Sequence, residues 1–174
     1  MVFGSLAQRD PVSRRSIRGI CERARLRVFD VNLRPPHDDI EIVRESLEMA
    51  EVVKLNEEEL GRMASWFGLP TGLRPTTSAL AERFRCDAVC VTRGGEGAAL
   101  LRQSRWVEHP GYRVEVADTV GAGDAFLAAL LHGLLTGVPD EMLLGRACRL
   151  GAYVASCPGA IPPHVAEAVE GIGG

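Results

Sequence analysis

Only one lysine, Lys54, stands among the 20 basic residues of this 174-residue sequence, and aromatic residues make up just 5% of it. There is no C-x-x-C pair, no H-x-x-x-H pair, no G-x-x-x-x-G-K-[ST] loop and no long apolar run. Each absence removes a class of function. Five scattered cysteines give neither a disulfide framework nor a zinc knuckle, so the expected compartment is the reducing cytoplasm. Four isolated histidines supply no metal pair on a helix. Without a run of about 20 apolar residues no membrane helix is expected, and no signal-peptide pattern precedes the first turn. A net charge of -3 gives no general pull toward nucleic acid or an anionic membrane, so neither is expected as a partner.

What is present is an ordinary globular composition, 46% hydrophobic and 25% charged, in a length that suits one domain over residues 1–174. Basicity is local: eight arginines lie between Arg9 and Arg34. Asp10, Glu22 and Asp30 interrupt that run, which reads as helix-surface arginine in preference to a phosphate-binding patch. The start, Met1 to Ala7, is apolar and reads as a strand that would lie inside a larger sheet.

Strands are expected at 27–31, 51–55 and 88–92, with a hairpin-like pair at 98–101 and 105–109. Helices are expected at 14–25, at 40–50 with Asp38 and Asp39 as N-cap candidates, from Asn56 onward, at 78–85 after a loop at 70–77, at 121–136, at 140–156 and at 162–170. Strands alternating with helices argue an α/β domain with a largely parallel sheet, in which ligands bind at the carboxyl ends of strands.

The segment Asp118-Thr-Val-Gly-Ala-Gly-Asp124 follows the extended stretch 112–116 and opens the apolar helix that begins near Phe126. Glycines at 121 and 123 would let backbone amides converge on an anion at the positive end of a helix dipole. Asp124, in the first turn, could accept a proton from a hydroxyl beside that anion. A strand-to-helix turn in which Asp118 or Asp124 merely caps fits the spacing equally well. A dinucleotide fingerprint fits less well, because Phe126 stands where its third glycine belongs.

Asp118 to Asp124 resembles the D-T-x-G-A-G-D signature of the ribokinase-like (PfkB) carbohydrate kinases. That resemblance implies a three-layer α/β/α fold with a mostly parallel sheet, Asp124 as catalytic base, and Gly121, Ala122 and Gly123 as the anion hole. Other segments are similar to the family in register. Asn56-x-x-Glu59 resembles its N-x-x-E motif, implying that Asn56 and Glu59 organise the ATP phosphates and Mg2+, with Glu59 acting through water; by itself the spacing fits an acidic helix start better. The strand and turn Val91 to Gly97 resemble the family's nucleotide turn, implying ATP contacts from Thr92, Gly94, Gly95 and Gly97 alongside Gly123; a tight hairpin turn would need the same glycines.

Cys148 to Pro162 looks like the family's late helix and G-A loop. It implies that Cys148 borders the adenine. It also implies a monovalent-cation loop, for K+, from Asp118, Val120, Val154, Cys157 and Gly159, although Pro163 stands where relatives often offer a hydroxyl. Phe29 to Pro36 resembles the D-x-N-x-R segment of fructokinases and 2-keto-3-deoxygluconate kinases. Asn32 and Arg34, with Asp124, would then meet the sugar; Asp30 and Asn32 could equally stabilise the turn after a strand.

The resemblance runs from Phe3 to the last helix and matches about the latter half of the family. The expectation is therefore a chain lacking the N-terminal part and lid, with an exposed sheet edge near residues 1–6 and 28–31 that could support a homodimer. The function implied is ATP-dependent phosphorylation of a sugar hydroxyl, fructokinase-like or 2-keto-3-deoxygluconate kinase-like, with the activity of this chain left open. The alternatives are a non-catalytic nucleotide-binding remnant and, more distantly, a dinucleotide-binding oxidoreductase domain.

Overall fold

The computed structural model describes residues 1–162. Short runs rich in Val, Phe and Leu form β1 (Val2–Gly4), β2 (Val28–Asp30), β3 (Val52–Asn56) and β4 (Ala88–Thr92). These four are parallel and in register, with Val28 opposite both Val2 and Val52, and Val52 opposite Ala88. Parallel neighbours need long crossovers. Here α1 (Pro11–Cys21), α2 (Ile40–Met49) and the pair α3 (Glu57–Phe67) and α4 (Leu73–Phe84) supply them. β5 (Ala98–Arg102) and β6 (Arg105–His109) follow, then α5 (Ala122–Thr136) and α6 (Asp140–Ala155). The strand order is β1-β2-β3-β4-β5-β6.

Local chemistry sets the helix ends. Asp10 caps α1 by accepting from Val12 N and Ser13 N, with Pro11 in the first position, where its missing amide costs nothing. The helix therefore starts three residues before the expected Arg14 and stops at Cys21. Asp39 caps α2, as its position suggested. Asp38 instead pairs with Arg62. The expected loop 70–77 is largely helix: α4 begins at Leu73, because Pro75 falls in the first turn, where backbone amides have no acceptor to lose. Thr76 Oγ1 donates to Pro70 O at 2.6 Å and Thr77 Oγ1 to Leu73 O at 2.6 Å, which keeps both hydroxyls satisfied inside the helix.

The chain divides into two compact units, residues 1–92 with 101–105, and residues 93–100 with 106 onward. In the first, Phe3, Phe29, Val31, Val53, Leu55, Val89 and Val91 form a core with Ile17, Leu47, Leu60, Met63, Leu80 and Phe84 from the helices. Phe3 stacks on Phe29 at 5.4 Å. Both faces of β2 are buried and it lies between β1 and β3, so the expected edge at 28–31 is interior. The open edge is β1, where Val2 is 47% exposed. Three arginines of the run are ion-paired within this unit: Arg14 and Arg18 with Glu45, and Arg27 with Glu51.

In the second unit α5 and α6 pack antiparallel. A Cβ on Gly133, late in α5, would meet Leu143 early in α6 at 2.9 Å, while one on Gly151, late in α6, would meet Ala122 O at 3.3 Å. The start of α5 is thereby held against the end of α6. Residues 112–116 belong to no strand. The expected helix 162–170 lies, but for Pro162, outside the described residues, as does Pro163. Among the described residues no helix is long and apolar enough to cross a membrane.

Candidate active site

In the first unit, β3 and β4 end side by side, with Asn56 opposite Thr92. Asn56 caps α3 and forms a reciprocal box with Glu59. Asn56 Oδ1 accepts from Glu59 N at 2.8 Å, and Glu59 Oε2 accepts from Asn56 N at 2.8 Å. The second oxygen, Oε1, reaches across to accept Leu33 N at 2.8 Å. Glu59 thus ties the segment after β2 to the start of α3. It is buried, and that burial raises its pKa above the ordinary carboxylate value, opposed by the amides of Asn56 and Leu33 and by Lys54, and reinforced by Asp30. Thr92 is half-buried and its Oγ1 donates to Leu55 O at 3.4 Å.

Asp30 and Lys54 stand opposite each other on β2 and β3, with Nζ 3.0 Å from Oδ1 and 3.3 Å from Oδ2. Both side chains are 11% exposed. The sequence offered Asp30 only as a turn or motif residue. Its partner lies 24 positions away, and only the parallel register brings the two together. Asn32 follows in the left-handed region, at φ 42, and is exposed. Exposed Arg34 donates from Nη1 to Leu33 O at 3.0 Å, so it starts folded against its own backbone.

In the second unit the glycine turn after β4 splits into two kinds of glycine. Gly94 and Gly95 are exposed, with open space where a Cβ would be. Gly97 is different: a Cβ there would stand 2.0 Å from His109 O and 2.3 Å from Gly111 N. Its lack of a side chain serves close backbone packing inside the chain, a role the expected ligand contact did not include. Gly111, which the sequence reading passed over, is the other side of that contact. Cys148 is buried on α6, and burial pushes its thiol up to about 12 against the pull of Arg93. It is a neutral packing group, not a nucleophile.

The segment 118–124 forms the turn into α5. Asp118 Oδ1 accepts from Val120 N at 3.0 Å and Oδ2 from Gly159 N at 3.3 Å, while Ala117 N and Asp118 N donate to Ala155 O at 2.9 and 3.2 Å. Gly121 is the N-cap, at φ 80, and has no side chain to satisfy the helix amides. Ala122 N donates to Thr119 O at 3.3 Å, and Ala125 N closes the first helical bond to Gly121 O at 2.8 Å. Among the described residues the Gly123 and Asp124 amides meet no acceptor in this uncapped first turn. Gly123 is helical; the positive φ that only glycine takes readily belongs to Gly121 alone. Asp124 is exposed in that same first turn.

Of the five residues expected around a monovalent cation, Asp118 and Gly159 are joined by the 3.3 Å hydrogen bond and Val120 is tied to the same carboxylate. Val154 O already accepts Cys157 N at 3.1 Å. Among the described residues, no three His, Cys, Asp or Glu side chains gather as a metal cluster.

A family model described as pfkB family carbohydrate kinase matches residues 8–167. A fructokinase of Salmonella thompson is 35% identical over 146 residues, which cover 76% of this chain and 63% of that protein. An aminoimidazole riboside kinase from Salmonella enterica, complexed with aminoimidazole riboside and an ATP analog, superposes with a TM-score of 0.73 at 28% identity, covering 91% of this chain and 57% of its own. A fructokinase with bound ATP from Xylella fastidiosa shares the fold, with a TM-score of 0.77 at 22% identity over 97% of this chain and 61% of that one. The chain spans about half the length of the curated relatives it matches. A ribokinase-like α/β fold, an uncapped helix start carrying Asp124, and a family match across nearly the whole sequence lead to one assignment: this chain belongs to the pfkB family of carbohydrate kinases.

Proposed function

We propose that this chain carries the nucleotide-binding and phosphoryl-transfer part of an ATP-dependent sugar kinase, with a fructose-like hexose or a keto-acid sugar as acceptor. One observation carries the reading: α5 begins without a side-chain cap, at a left-handed Gly121, with Asp124 exposed in its first turn. Amides without an acceptor at the positive end of a 15-residue helix suit the charge that builds on a transferring phosphoryl group. Asp124 lies on the same turn and takes the proton of the acceptor hydroxyl as its oxygen attacks the γ-phosphorus of ATP, while the bond from that phosphorus to the β-phosphate oxygen breaks and ADP leaves. The amides of Gly121, Ala122 and Gly123 form the anion hole in this proposal, with Ala122 N exchanging its long 3.3 Å bond to Thr119 O for the phosphoryl oxygen. Fructokinases among the relatives, and the nucleotides named with the two solved kinases, support the substrate class.

Glu59 would hold a divalent ion, Mg2+, through water. The fit is chemical: each carboxylate oxygen already accepts one amide and keeps one lone-pair direction, which suits a hydrogen bond from a metal-bound water. Such an ion, when bound, neutralises phosphate charge. Asn56, Thr92, Gly94, Gly95 and buried Cys148 are assigned to the nucleotide side, and Asn32 and Arg34 to the sugar side. K+ is assigned to Asp118, Val120, Val154, Cys157 and Gly159, and no step depends on it.

Calorimetry with ATP–Mg2+ and with NAD, followed by ADP release over a panel of hexoses and keto-acid sugars, tests the reading. ATP binding and sugar-dependent ADP release are expected. Binding of NAD in preference to ATP would end the proposal.

A further inference from the structure

The turn 93–97 does not stand by itself. Gly97 lies on the peptide of residues 109–111 so closely that neither Gly97 nor Gly111 has room for a Cβ: one on Gly111 would come 2.8 Å from Gly97 N and 3.1 Å from Gly95 O. The 109–111 turn is held in turn by a side chain. Gly111, at φ 81, donates its amide to His109 Nδ1 at 3.0 Å, an imidazole doing what an Asn or Asp side chain does in an Asx turn. The ring is fixed on its other sides as well. It lies 5.0 Å from the Tyr112 ring, tilted by 37°, and 3.5 Å from where a Cβ on Gly145 of α6 would be. The Arg149 guanidinium sits 5.2 Å from the Tyr112 centroid, with Nη2 3.4 Å from the Tyr112 hydroxyl.

We infer that His109 is a positioning residue whose neutral imidazole sets the 109–111 turn, and through the Gly97–Gly111 contact the conformation of the glycine turn 93–97. A nitrogen that accepts Gly111 N–H cannot carry a proton, so protonation of the ring at Nδ1 breaks the hydrogen bond and turns an acceptor into a donor facing a donor. The surroundings favour the neutral form. Burial lowers the His109 pKa, and Arg149 lowers it further. Arg149 from α6 and the Tyr112 hydroxyl are the charged and titratable groups against the ring. Glu108, next along β6, points to the opposite face, where it lies 3.6 Å from Arg93 and accepts from Trp106 Nε1 at 2.7 Å. The effect on nucleotide affinity rests on the function proposed above; the effect on the turn does not.

The test is a pH titration of the ligand-free protein by two-dimensional NMR, from about pH 8 down to about pH 5, the range in which histidine changes charge. In the wild type the Gly94, Gly95, Gly97 and Gly111 amide signals should shift with the same midpoint as the His109 ring. His109→Asn keeps an acceptor two residues before the Gly111 amide but does not titrate; its glycine amides should stay flat. His109→Ala should displace the glycine signals at every pH. Amides that ignore the His109 titration, or that titrate identically in His109→Asn, overturn the inference and leave the kinase reading intact. Taken relative to His109→Asn at each pH, wild-type ATP affinity should match it at the alkaline end and lie about three- to tenfold below it at the acid end, while His109→Ala lies below it by that factor throughout, the size expected for one hydrogen bond. Glycine amides that titrate as expected in a protein that binds no ATP at any pH sink the proposed function and uphold the positioning role. ATP affinity that follows one and the same pH curve in all three proteins overturns the link from the turn to the nucleotide.

Discussion

Gly121 faces Ala160 across the start of α5 so closely that a Cβ on Gly121 would stand 2.8 Å from the Ala160 Cβ and 2.9 Å from its carbonyl oxygen. The same residue holds φ 80, a conformation that costs an L side chain roughly 1–2 kcal/mol before any clash is counted. Gly121→Ala should therefore lower the unfolding free energy by about 2–4 kcal/mol, strain and displacement together. Gly123→Ala, two positions on and helical, should be neutral or stabilising by about 0.5–1 kcal/mol. Urea denaturation of the two variants distinguishes them; equal costs would mean the left-handed cap is not what shapes the loop.

Asp124→Asn removes the proposed base while keeping size and helix position. Sugar-dependent ADP release should drop by about 10²–10⁴-fold, with ATP affinity nearly unchanged. Steady-state kinetics with calorimetry on the same samples checks both halves. A variant that keeps most of its turnover removes Asp124 from the mechanism.

Lys54 and Asp30 are held together between two interior strands. Lys54→Met alone leaves the Asp30 carboxylate buried without its cation, and should cost about 3–5 kcal/mol. The double variant Asp30→Leu, Lys54→Met removes both charges and should recover most of that loss. A double-mutant cycle in urea reads the coupling; additive losses would show that the two residues act independently.

Glu59 is expected to shape the pH dependence of stability. Its folded pKa lies above the unfolded value of 4.5, so between the two the folded protein binds the extra proton. Its contribution is thus most favourable below the unfolded value and is lost as pH rises through the folded one. Glu59→Gln abolishes that slope. It also puts an amide NH2 against Leu33 N or Asn56 N, a mismatch worth about 1–3 kcal/mol. Urea midpoints across the acid range should show both effects, and a Glu59→Gln curve parallel to wild type would show that Glu59 does not titrate differently in the fold.

Much of the fold was written locally. The runs Val52–Leu55 and Ala88–Thr92 were legible as buried strands, the second apolar on both faces up to Thr92 and the first interrupted only by Lys54. Asp39 and Asn56 marked helix starts by side-chain chemistry that acts within three residues. The motif 118–124 was legible because its glycines and carboxylates are adjacent in the chain. Pro75 misled, since a proline in the first turn and one before it look alike in sequence.

Three matters were decided by tertiary structure. That Gly121 must be glycine depended on where Ala160 lies, far along the chain. That Gly97 must lack a side chain depended on the 109–111 turn. The partner of Asp30 depended on strand register. Periodicity, capping and motif chemistry act over a few residues, and the sequence alone determined them. Close backbone approaches and buried charge pairs join positions that are distant in the chain, and only packing could choose among the many pairs available.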